Sequence, residues 1–415
     1  MTQRRVCHGL FAALATLITW SGIAALKVTT AVVLTTTVIL VPGTKGPNGT
    51  ANETPVFLKD VLQHELQGWV YQQATDGWAM NTYPRSMGEL TGKNDPLFDS
   101  SVSTGAVNLD VLITDTRASG AIGFGYSQGA TVVTQWLRDH ANGKDSNAPA
   151  ADKMSFVLIG SPNRPNGGLL ARMPGLYVPI LGVTFIGAMP DTQYKVTDVM
   201  RQYDLFGDFP IDPLNVLSVL NVLADAGSIH GNYLNVDVND PNNWVEQHGN
   251  TTYIMEYAQH LPLLQPLYKM AAAQGMTQTP VLDAIEPVMR YLVELGYDRT
   301  NQSTTSTFQP GSSVVRLAQT LPELRQAVNQ GIGILQSELH ELSVQPATTQ
   351  QPAASLPTVS IERLSGSRTP NRRESQVTND IGRSVVDSRK KDVQSSVSIR
   401  SGRPARSATS RHSTR

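Results

Sequence analysis

The sequence predicts an α/β fold whose central sheet is mostly parallel. Three segments support this prediction: an apolar strand pattern at 38–41 that ends in a glycine turn, a strand–turn–helix pattern over 121–138, and a further strand pattern at 153–159. Strands that alternate with helices in this way form parallel sheets with helices on their faces. With 415 residues, of which 40% are hydrophobic, the chain can bury one large core and still carry extensions.

Residues 1–30 are expected to lie outside this fold. Two arginines precede an apolar run at 10–26, and Lys27 follows it. The pattern is that of an export signal or of a short membrane anchor, since the run is near the minimum length that spans a bilayer. A buried helix of the fold is the alternative. Cys7 is the sole cysteine and precedes the apolar run, so it is neither a lipoprotein cysteine nor half of an intrachain disulfide.

The first core strand is predicted at 38–41 and ends in the turn Pro-Gly-Thr at 42–44. A glycine turn in this position also suggests a phosphate loop, but no Gly-Lys-Ser/Thr follows at the required spacing. The histidines and carboxylates show no metal-ligand spacing. The sequence therefore predicts no cofactor and no metal.

The pentapeptide Gly-Tyr-Ser-Gln-Gly at 125–129 lies between a predicted strand at 121–124 and an amphipathic helix pattern at 130–138. Strand, sharp turn and helix form the setting of the G-x-S-x-G nucleophile motif, in which the turn exposes the serine hydroxyl at the end of the strand. The helix start also directs free N–H groups towards an oxyanion beside Ser127. Ser127 is therefore the predicted nucleophile, with a tight structural turn as the alternative.

A nucleophilic serine needs a base, and the chain order in this architecture is Ser, then Asp or Glu, then His. His230 lies in a glycine-bounded loop after a helix pattern at 214–226, where a catalytic imidazole belongs. The other downstream histidines have surface, packing or tail positions: His248, His260, His340 and His412. A lone loop histidine is usually structural, but beside the serine motif His230 is the predicted base.

The acid is expected just after the strand that precedes the histidine loop. The strand pattern at 196–203 is followed by Asp-Leu-Phe-Gly-Asp-Phe-Pro, which places Asp204 and Asp208 in one turn. Either aspartate could reach His230, and either could instead cap the turn. Asp208 lies farther into the loop, where Pro210 stiffens the backbone. We therefore expect Asp208 to be the acid, with Asp204 as the alternative.

Five motifs follow one another along the chain: Val-Pro-Gly-Thr at 41–44, Gly-Tyr-Ser-Gln-Gly at 125–129, Ile-Gly-Ser-Pro-Asn-Arg-Pro-Asn-Gly-Gly at 159–168, Gln-Tyr-Asp to Asp-Phe-Pro at 202–210, and His-Gly-Asn-Tyr at 230–233. Together they resemble the PE-PPE domain of mycobacteria and related actinobacteria, a serine α/β-hydrolase similar to cutinases and phage lysin B esterases. The resemblance covers roughly residues 36–300. Its most distinctive part is the stretch from Ser161 to Gly168, which generic hydrolases lack.

The resemblance implies a cutinase-like fold with Ser127 as nucleophile, Asp208 as acid and His230 as base. It also implies that the turn at Thr44 and the backbone N–H of Gln128 form the oxyanion hole. Two features depart from the pattern. Cutinases brace their sites with disulfides, which a chain with one cysteine cannot form, and the chain does not open with the Pro-Glu or Pro-Pro-Glu helical module that often precedes this domain.

The remaining segments define the expected domain organisation. Residues 169–188 are apolar with few charges and predict a hydrophobic flap over the acyl site, with buried core as the alternative. The hydrolase domain is expected over 31–300 and ends with an amphipathic helix at 281–295. A helical appendage is expected at 301–343. From 344 to 415 Gln, Thr, Ser, Pro and Arg dominate without aromatic residues, which predicts a disordered tail.

The overall charge of −1 conceals a basic tail. Residues 361–415 hold thirteen Lys and Arg against five Asp and Glu, a net charge of about +8. Such a tail could contact anionic lipid, polysaccharide or nucleic acid, but solvated chain is the default and we expect no nucleic-acid partner.

The sequence thus predicts an exported serine esterase or lipase that hydrolyses acyl esters and is either anchored in the membrane or secreted to the cell envelope. An acyltransferase that passes the acyl group to a sugar such as trehalose is the alternative, because the opening segment resembles that of membrane-anchored relatives of the domain. A third possibility, of another class, is a catalytically inactive cell-envelope binding protein. The complete Ser, Asp and His set argues against it.

Overall fold

The computed structural model describes four stretches of the chain, residues 36–47, 62–116, 119–225 and 228–344. The export segment predicted at 1–30 lies outside them, as does all but the first residue of the tail predicted at 344–415. Within these four stretches, no helix combines the length and the apolar character that crossing a membrane requires.

The described chain is built on one large sheet and a small hairpin. The strands of the large sheet are β1 (Thr37–Val41), β2 (Gly77–Met80), β3 (Ala121–Tyr126), β4 (Met154–Ile159), β7 (Lys195–Arg201), β8 (Trp244–His248) and β9 (Thr251–Glu256), and those of the hairpin are β5 (Tyr177–Val178) and β6 (Val183–Thr184). The large sheet has the order β2-β1-β3-β4-β7-β9-β8. Its neighbours pair in parallel except for β8 and β9. The predicted α/β architecture with a mostly parallel sheet is confirmed.

The described chain has eight α-helices: α1 (Trp69–Gln72), α2 (Phe98–Thr116), α3 (Gln128–His140), α4 (Val216–Asp225), α5 (Gln265–Ala273), α6 (Pro280–Glu294), α7 (Ser312–Gln319) and α8 (Leu321–Val344). Of these, α2 and α3 pack on one face of the sheet and α1 on the other. Successive residues of β1 point to opposite faces: Ile39 joins the core beneath α2 and α3 with Trp136, whereas Val38 joins a second core with Leu66 and Tyr233. Because both faces are buried, the inner strands are almost continuously apolar.

The segment after residue 300 is tied to the rest of the described chain. Gln302 is buried, and its backbone oxygen accepts a hydrogen bond from the N–H of Asn166. The N–H of Gln309 donates to the backbone oxygen of Ile211. Beyond this extended stretch, α7 and α8 form the helices expected at 301–343. Helix α8 packs closely on α6 at Gly331, where an added Cβ would lie 2.2 Å from the backbone oxygen of Ala284.

Two glycines of α8 give a matched test of this packing. Gly331→Ala should lower the free energy of unfolding by about 1–3 kcal/mol, because the methyl group would meet backbone atoms of α6 that cannot yield without displacing the helix. Gly333→Ala, two residues on, meets no atom within 4 Å and should raise the free energy of unfolding by up to about 1 kcal/mol through helix propensity. Urea unfolding of the full chain measures both. Equal effects at the two positions would show that α8 does not pack on α6 as described.

Candidate active site

Three chemically active side chains meet at the carboxyl edge of the large sheet. Ser127 follows β3, Asp204 follows β7 by two turn residues, and His230 lies in the loop after α4. In parallel α/β sheets this edge is where ligands bind, because the carboxyl ends of neighbouring strands and the loops that follow them meet there. The sequence motifs are therefore brought together by strand order rather than by proximity along the chain.

Ser127 occupies a strained turn between β3 and α3. Its φ of 54° and ψ of −117° lie outside the helix and strand regions, a conformation that costs about 1–3 kcal/mol and persists only where the surrounding structure holds it. The flanking glycines permit the turn. A Cβ at Gly129 would lie 1.9 Å from the backbone oxygen of Val41, and one at Gly125 would lie 3.0 Å from Cα of Ala130. The G-x-S-x-G pattern thus reflects close packing of α3 against β1 and β3.

Ser127, His230 and Asp204 form a continuous series of hydrogen bonds. Nε2 of His230 lies 2.8 Å from Oγ of Ser127, and Nδ1 lies 2.9 and 2.8 Å from the two carboxylate oxygens of Asp204. With Nδ1–H donating to the carboxylate, the lone pair of Nε2 faces the serine hydroxyl and can accept its proton. The imidazole is held in place from two sides: its ring lies 4.6 Å from that of Phe206, and its backbone oxygen accepts a hydrogen bond of 2.7 Å from the Tyr126 hydroxyl.

The Asp204 carboxylate is fully buried but well supplied with donors. It accepts hydrogen bonds from the Tyr233 hydroxyl at 2.7 Å and from the N–H groups of Phe206 and Gly207 at 2.9 and 3.0 Å, in addition to His230. Burial alone would raise the pKa of Asp204, but the charge of His230 and these hydrogen bonds outweigh it and hold the pKa below its ordinary value. Asp204 is therefore ionised at neutral pH beside the imidazole.

The structure contradicts the expectation that Asp208 contacts His230. The Asp208 carboxylate instead pairs with the guanidinium of Arg299 at 2.6 and 3.0 Å and accepts a hydrogen bond of 2.8 Å from the N–H of Tyr203. The partners of Asp208 account for this: it is engaged by the distant Arg299 and by the N–H of Tyr203, which has a φ of +70° in the turn before Asp204. The alternative acid, Asp204, is the one that the structure places against His230.

The distinctive motif at 161–168 supports the loop that carries Asp204. The N–H of Leu169 donates to the backbone oxygen of Phe206, and the N–H of Phe209 donates to that of Gly167, each at 2.7 Å. A side chain at Gly167 is excluded, because its Cβ would lie 2.4 Å from the backbone oxygen of Gly207. The completely buried Arg164 anchors the motif through an ion pair with Asp198. The motif therefore has a structural role next to the site.

The histidine loop is supported by an unusual turn at Glu65–Gly68. Leu66 and Gln67 have φ values of 51° and 55°, and their N–H groups donate to the backbone oxygens of Tyr233 and Leu234 at 2.9 and 3.0 Å. Glu65 is buried in this turn, with one carboxylate oxygen that has no hydrogen-bond partner among the described residues. Burial raises the pKa of Glu65 to about 7.

Thr44 and Gln128 both lie beside Ser127. A Cβ at the neighbouring Gly43 would be 3.1 Å from Cβ of Ser127, so this turn touches the serine. The turn is fixed from behind: the Tyr83 hydroxyl donates to the backbone oxygen of Pro42 at 2.5 Å, and Nε of Arg85 donates to that of Gly43 at 2.7 Å. Gln128 begins α3, where backbone N–H groups have no acceptor within the helix.

The hydroxyl of Ser127 faces an apolar cavity of about 460 Å³. Ser127, His230, Thr44 and Gln128 line its polar part. The rest of the wall is mainly apolar and includes Met87, Leu90, Phe98, Leu169, Leu170, Val178, Leu181, Val183, Phe185 and Phe206. The segment 169–188, for which a flap or buried core was predicted, is divided: several of its side chains line the cavity, and others, such as Ala171, are buried away from it.

One group of possible metal ligands lies in the described part of the chain. Donor atoms of Asp110, His140 and Asp145 lie within 4.8 Å of one another. Nδ1 of His140 is 2.9 Å from the Asp145 carboxylate, and Nε1 of Trp136 donates to Asp110 at 3.0 Å. These contacts account for the group as a hydrogen-bonded cluster separate from Ser127.

Several contributors to the site were not assigned a role from the sequence. Tyr126 and Tyr233 lie inside quoted motifs, yet their hydroxyl contacts with the histidine loop and with Asp204 depend on tertiary packing. Gly160 has a φ of +56°, and a Cβ there would lie 2.9 Å from the ring of His230. Its place at the end of β4, on the same sheet edge, is the one sequence signal that could have identified it.

Comparison with known proteins gives a consistent result. The sequence model described as "PE-PPE domain" matches residues 78–298. A protein named Esterase PE16 of Mycobacterium tuberculosis is 42% identical over 231 residues, which are 54% of this chain and 43% of that protein. Proteins of the same organism named SL1278 acyltransferase Chp1 and Diacyltrehalose acyltransferase Chp2 are 32% and 33% identical, over 61% and 48% of this chain and 63% and 57% of their own lengths. The chain thus spans less than two thirds of each of these relatives.

Among solved structures, a cutinase-like protein from Cryptococcus sp. matches 43% of this chain and 81% of its own, with 18% identity and a TM-score of 0.26. A TM-score this low supports no conclusion about the site, so the chemistry of the site is inferred from the strand order and the side-chain contacts of this chain.

Substitution of each aspartate distinguishes the residue that acts on His230 from the residue that stabilises the loop. Asp204→Asn should lower kcat/KM for an ester by roughly 10⁴, because an amide favours the wrong imidazole tautomer. Asp208→Asn should leave the rate per folded molecule within about tenfold of the wild type and lower the free energy of unfolding by about 3 kcal/mol, since it leaves the Arg299 charge without its carboxylate partner. Ester kinetics and urea unfolding of both variants are the measurements. The reverse ranking of rates would assign the acid to Asp208.

Glu65 predicts a pH dependence of stability. Its folded pKa of about 7 lies above the ordinary value of 4.5, so the folded state binds the proton more tightly and loses stability as the pH rises through this interval. Glu65→Gln removes this loss of stability at high pH, because the amide carries no titratable proton. The variant should match the wild type at pH 4 and be more stable at pH 8 by up to about 3 kcal/mol. Unfolding curves at several pH values test this, with Glu89→Gln on the surface as the control for loss of one carboxylate. A difference that does not change with pH would contradict the assignment.

Proposed function

Because the chain belongs to the PE-PPE domain family, we propose that it is a serine esterase that cleaves acyl esters, lipid esters among them, through an acyl-enzyme on Ser127. One observation above all supports the proposal: the hydrogen-bonded series from Asp204 through His230 to Ser127 ends at the wall of an apolar cavity. A nucleophile that is activated in this way and faces apolar surface suits an ester with a hydrocarbon acyl group.

In the proposed reaction, Oγ of Ser127 attacks the ester carbonyl carbon while Nε2 of His230 takes the serine proton. The tetrahedral intermediate collapses when the same Nε2–H donates its proton to the leaving alcohol, which yields the acyl-enzyme. Water then attacks the acyl carbon while His230 takes its proton, and Nε2–H returns that proton to Oγ of Ser127 as the carboxylic acid leaves. Asp204 remains ionised throughout, because it accepts from Nδ1–H and is held by three further donors.

The intermediate needs donors for its oxyanion. We propose the backbone N–H groups of Gln128 and Thr44, because Gln128 opens α3 directly after the nucleophile and the turn at Thr44 touches Ser127. The Gln128 side chain is engaged elsewhere: its amide donates to the backbone oxygen of Ser86 and accepts from the Ser101 hydroxyl. The backbone of Gln128 is therefore the part available to substrate. One such donor is worth roughly 3 kcal/mol of barrier.

Acyl transfer to a sugar such as trehalose is the second candidate, and the two relatives named as acyltransferases favour it. Both reactions share the acyl-enzyme and differ in whether water or an alcohol reaches it. A catalytically inactive envelope-binding protein is a third candidate of another class, and the hydrogen-bonded series argues against it.

We further propose that the protein is exported and acts at the membrane or cell envelope. The apolar run at 10–26 behind two arginines supports this proposal. The basic tail would add attraction to anionic surfaces.

Product analysis with a short-chain aryl ester, with and without trehalose, tests the proposal. The wild type should release the free acid, and Ser127→Ala should retain less than about a thousandth of the rate, as loss of a nucleophile does in serine hydrolases. Acyl-trehalose that accumulates at the expense of free acid would favour the transferase. A wild-type rate no higher than that of Ser127→Ala would identify a binding protein.

A further inference from the structure

The segment from Met173 to Ile180, Met-Pro-Gly-Leu-Tyr-Val-Pro-Ile, is both apolar and exposed. Seven of its eight residues are exposed, and the eighth, Val178, is partly buried. Ile180 at its end is 83% exposed. From 173 to 190 the chain has no charged side chain. Contiguous exposed apolar surface on a soluble domain commonly marks a site of interaction with a membrane or a partner.

This segment lies at the mouth of the candidate substrate cavity. Val178 and Leu181 line the cavity, and the exposed Ile180 lies between them in the β5–β6 turn. In the segment before α2, Leu90 is exposed and also lines the cavity. Leu97 of the same segment packs directly against Gly182 of the β5–β6 turn. We call this set the apolar rim; its members are Leu90, Leu97, Met173, Leu176, Tyr177 and Ile180.

The rim is firmly held rather than loose. The N–H groups of Phe98 and Asp99 donate to the backbone oxygens of Leu181 and Gly182 at 3.1 and 2.9 Å. The Asp99 carboxylate accepts hydrogen bonds from the N–H and the hydroxyl of Thr184 at 2.9 and 2.6 Å. The hairpin is thus fastened to the start of α2, and its apolar side chains are exposed while their backbone is ordered.

We propose that the apolar rim docks the protein on the surface of an acyl-lipid phase, with the cavity mouth facing the lipid; the choice of lipid rests on the proposed function. A lipid ester can then pass its acyl chain from the lipid phase into the cavity without exposing it to water. The continuity between rim and cavity wall at Leu90 and Val178 is the feature that matches this path.

The chemistry of the rim favours lipid over a protein partner. A protein interface carries about one hydrogen bond per 100–200 Å², whereas the side chains of 173–180 offer a single polar group, the Tyr177 hydroxyl. Tyrosine, like tryptophan, is enriched at the boundary between lipid and water. Of the described residues that line the cavity, Lys45 alone has a fixed charge. Its ammonium group forms an ion pair with the Asp95 carboxylate at 2.8 Å. Docking should therefore resist salt.

Site-specific fluorescence on the full chain tests the proposal. Because Cys7 is the sole cysteine, Cys7→Ser gives a background without thiols. In this background an environment-sensitive dye is attached to a new cysteine made by Ile180→Cys or, as the control, by Val314→Cys. Val314 is 71% exposed on α7 and does not line the cavity. With phosphatidylcholine vesicles in about 1 M salt, where the Debye length is about 3 Å, the tail's attraction is screened. The dye at 180 should shift to the blue and the dye at 314 should not.

Catalysis gives the second comparison. Ile180→Asp should keep the wild-type rate on a soluble ester within about twofold and lose at least about tenfold on an ester embedded in vesicles, whereas Val314→Asp should change neither. Both variants keep the N-terminal segment and the tail, so a difference between their rates on the embedded ester reports on the apolar rim alone. The shift at 180 should persist in Ser127→Ala, because docking does not depend on the chemistry. A wild type that hydrolyses neither ester but keeps the shift at 180 would overturn the proposed function and leave the docking proposal standing.

Three results would overturn the proposal. The first is an equal response of the dyes at 180 and 314 to vesicles. The second is a blue shift at 180 that grows with protein concentration in the absence of lipid, which would identify a second copy of the chain as the occupant of the rim. The third is an equal loss for Ile180→Asp on soluble and embedded esters, which would place Ile180 in the site instead of on a docking surface.

Discussion

The buried carboxylate of Asp204 is the constraint on which the rest of the site depends. An ionised carboxylate removed from water costs several kcal/mol unless it is paired and hydrogen-bonded, and the chain meets this requirement with four donors. Two come from its own turn, at Phe206 and Gly207, one from the Tyr233 hydroxyl and one from His230. The donors that stabilise the charge also fix its position, so the imidazole can take only one orientation, with Nε2 towards Ser127.

The motif that most distinguishes the chain serves this constraint rather than the chemistry. Gly167 and Leu169 exchange backbone hydrogen bonds with the turn after Asp204, and the absence of a side chain at 167 lets the two backbones meet. Arg164 fastens the motif to the sheet through Asp198 and to the segment beyond residue 300 through Gln302. Burial raises the pKa of Asp198, which its ion pair with Arg164 only partly offsets. The charged and polar residues of this motif thus hold the scaffold together and do not line the cavity at Ser127.

The sequence was sufficient for those features whose cause is local. The strand and helix patterns around Ser127 have fixed periods, and Gly125 is required by contacts within the same strand–turn–helix unit, so the predicted nucleophile and the fold class follow from one stretch of chain. Gly129 is required by the distant backbone of Val41, which the local pattern does not show. The position of His230 against Ser127 followed from chain order and the resemblance. The choice between Asp204 and Asp208 did not, because it depends on Arg299, which lies 91 residues from Asp208. No local pattern reveals that the more distal aspartate already has a guanidinium partner.

The apolar segment at 169–188 shows a second limit of sequence reasoning. Its composition fits both a flap and a core, and the structure divides its residues among cavity wall, core and exposed rim according to packing against α2. Burial of this kind is decided by tertiary contacts such as those of Asp99 with Thr184, which composition does not encode.

A crystal structure of the protein after reaction with an alkyl phosphonate that carries a good leaving group tests the central claim most directly. The account predicts phosphorus bonded to Oγ of Ser127, the phosphoryl oxygen within hydrogen-bond distance of the N–H groups of Gln128 and Thr44, and the alkyl chain inside the cavity between Phe206 and Leu181. Asp204 should still accept from Nδ1 of His230. Phosphorus on another residue, or an alkyl chain directed away from the cavity, would contradict it.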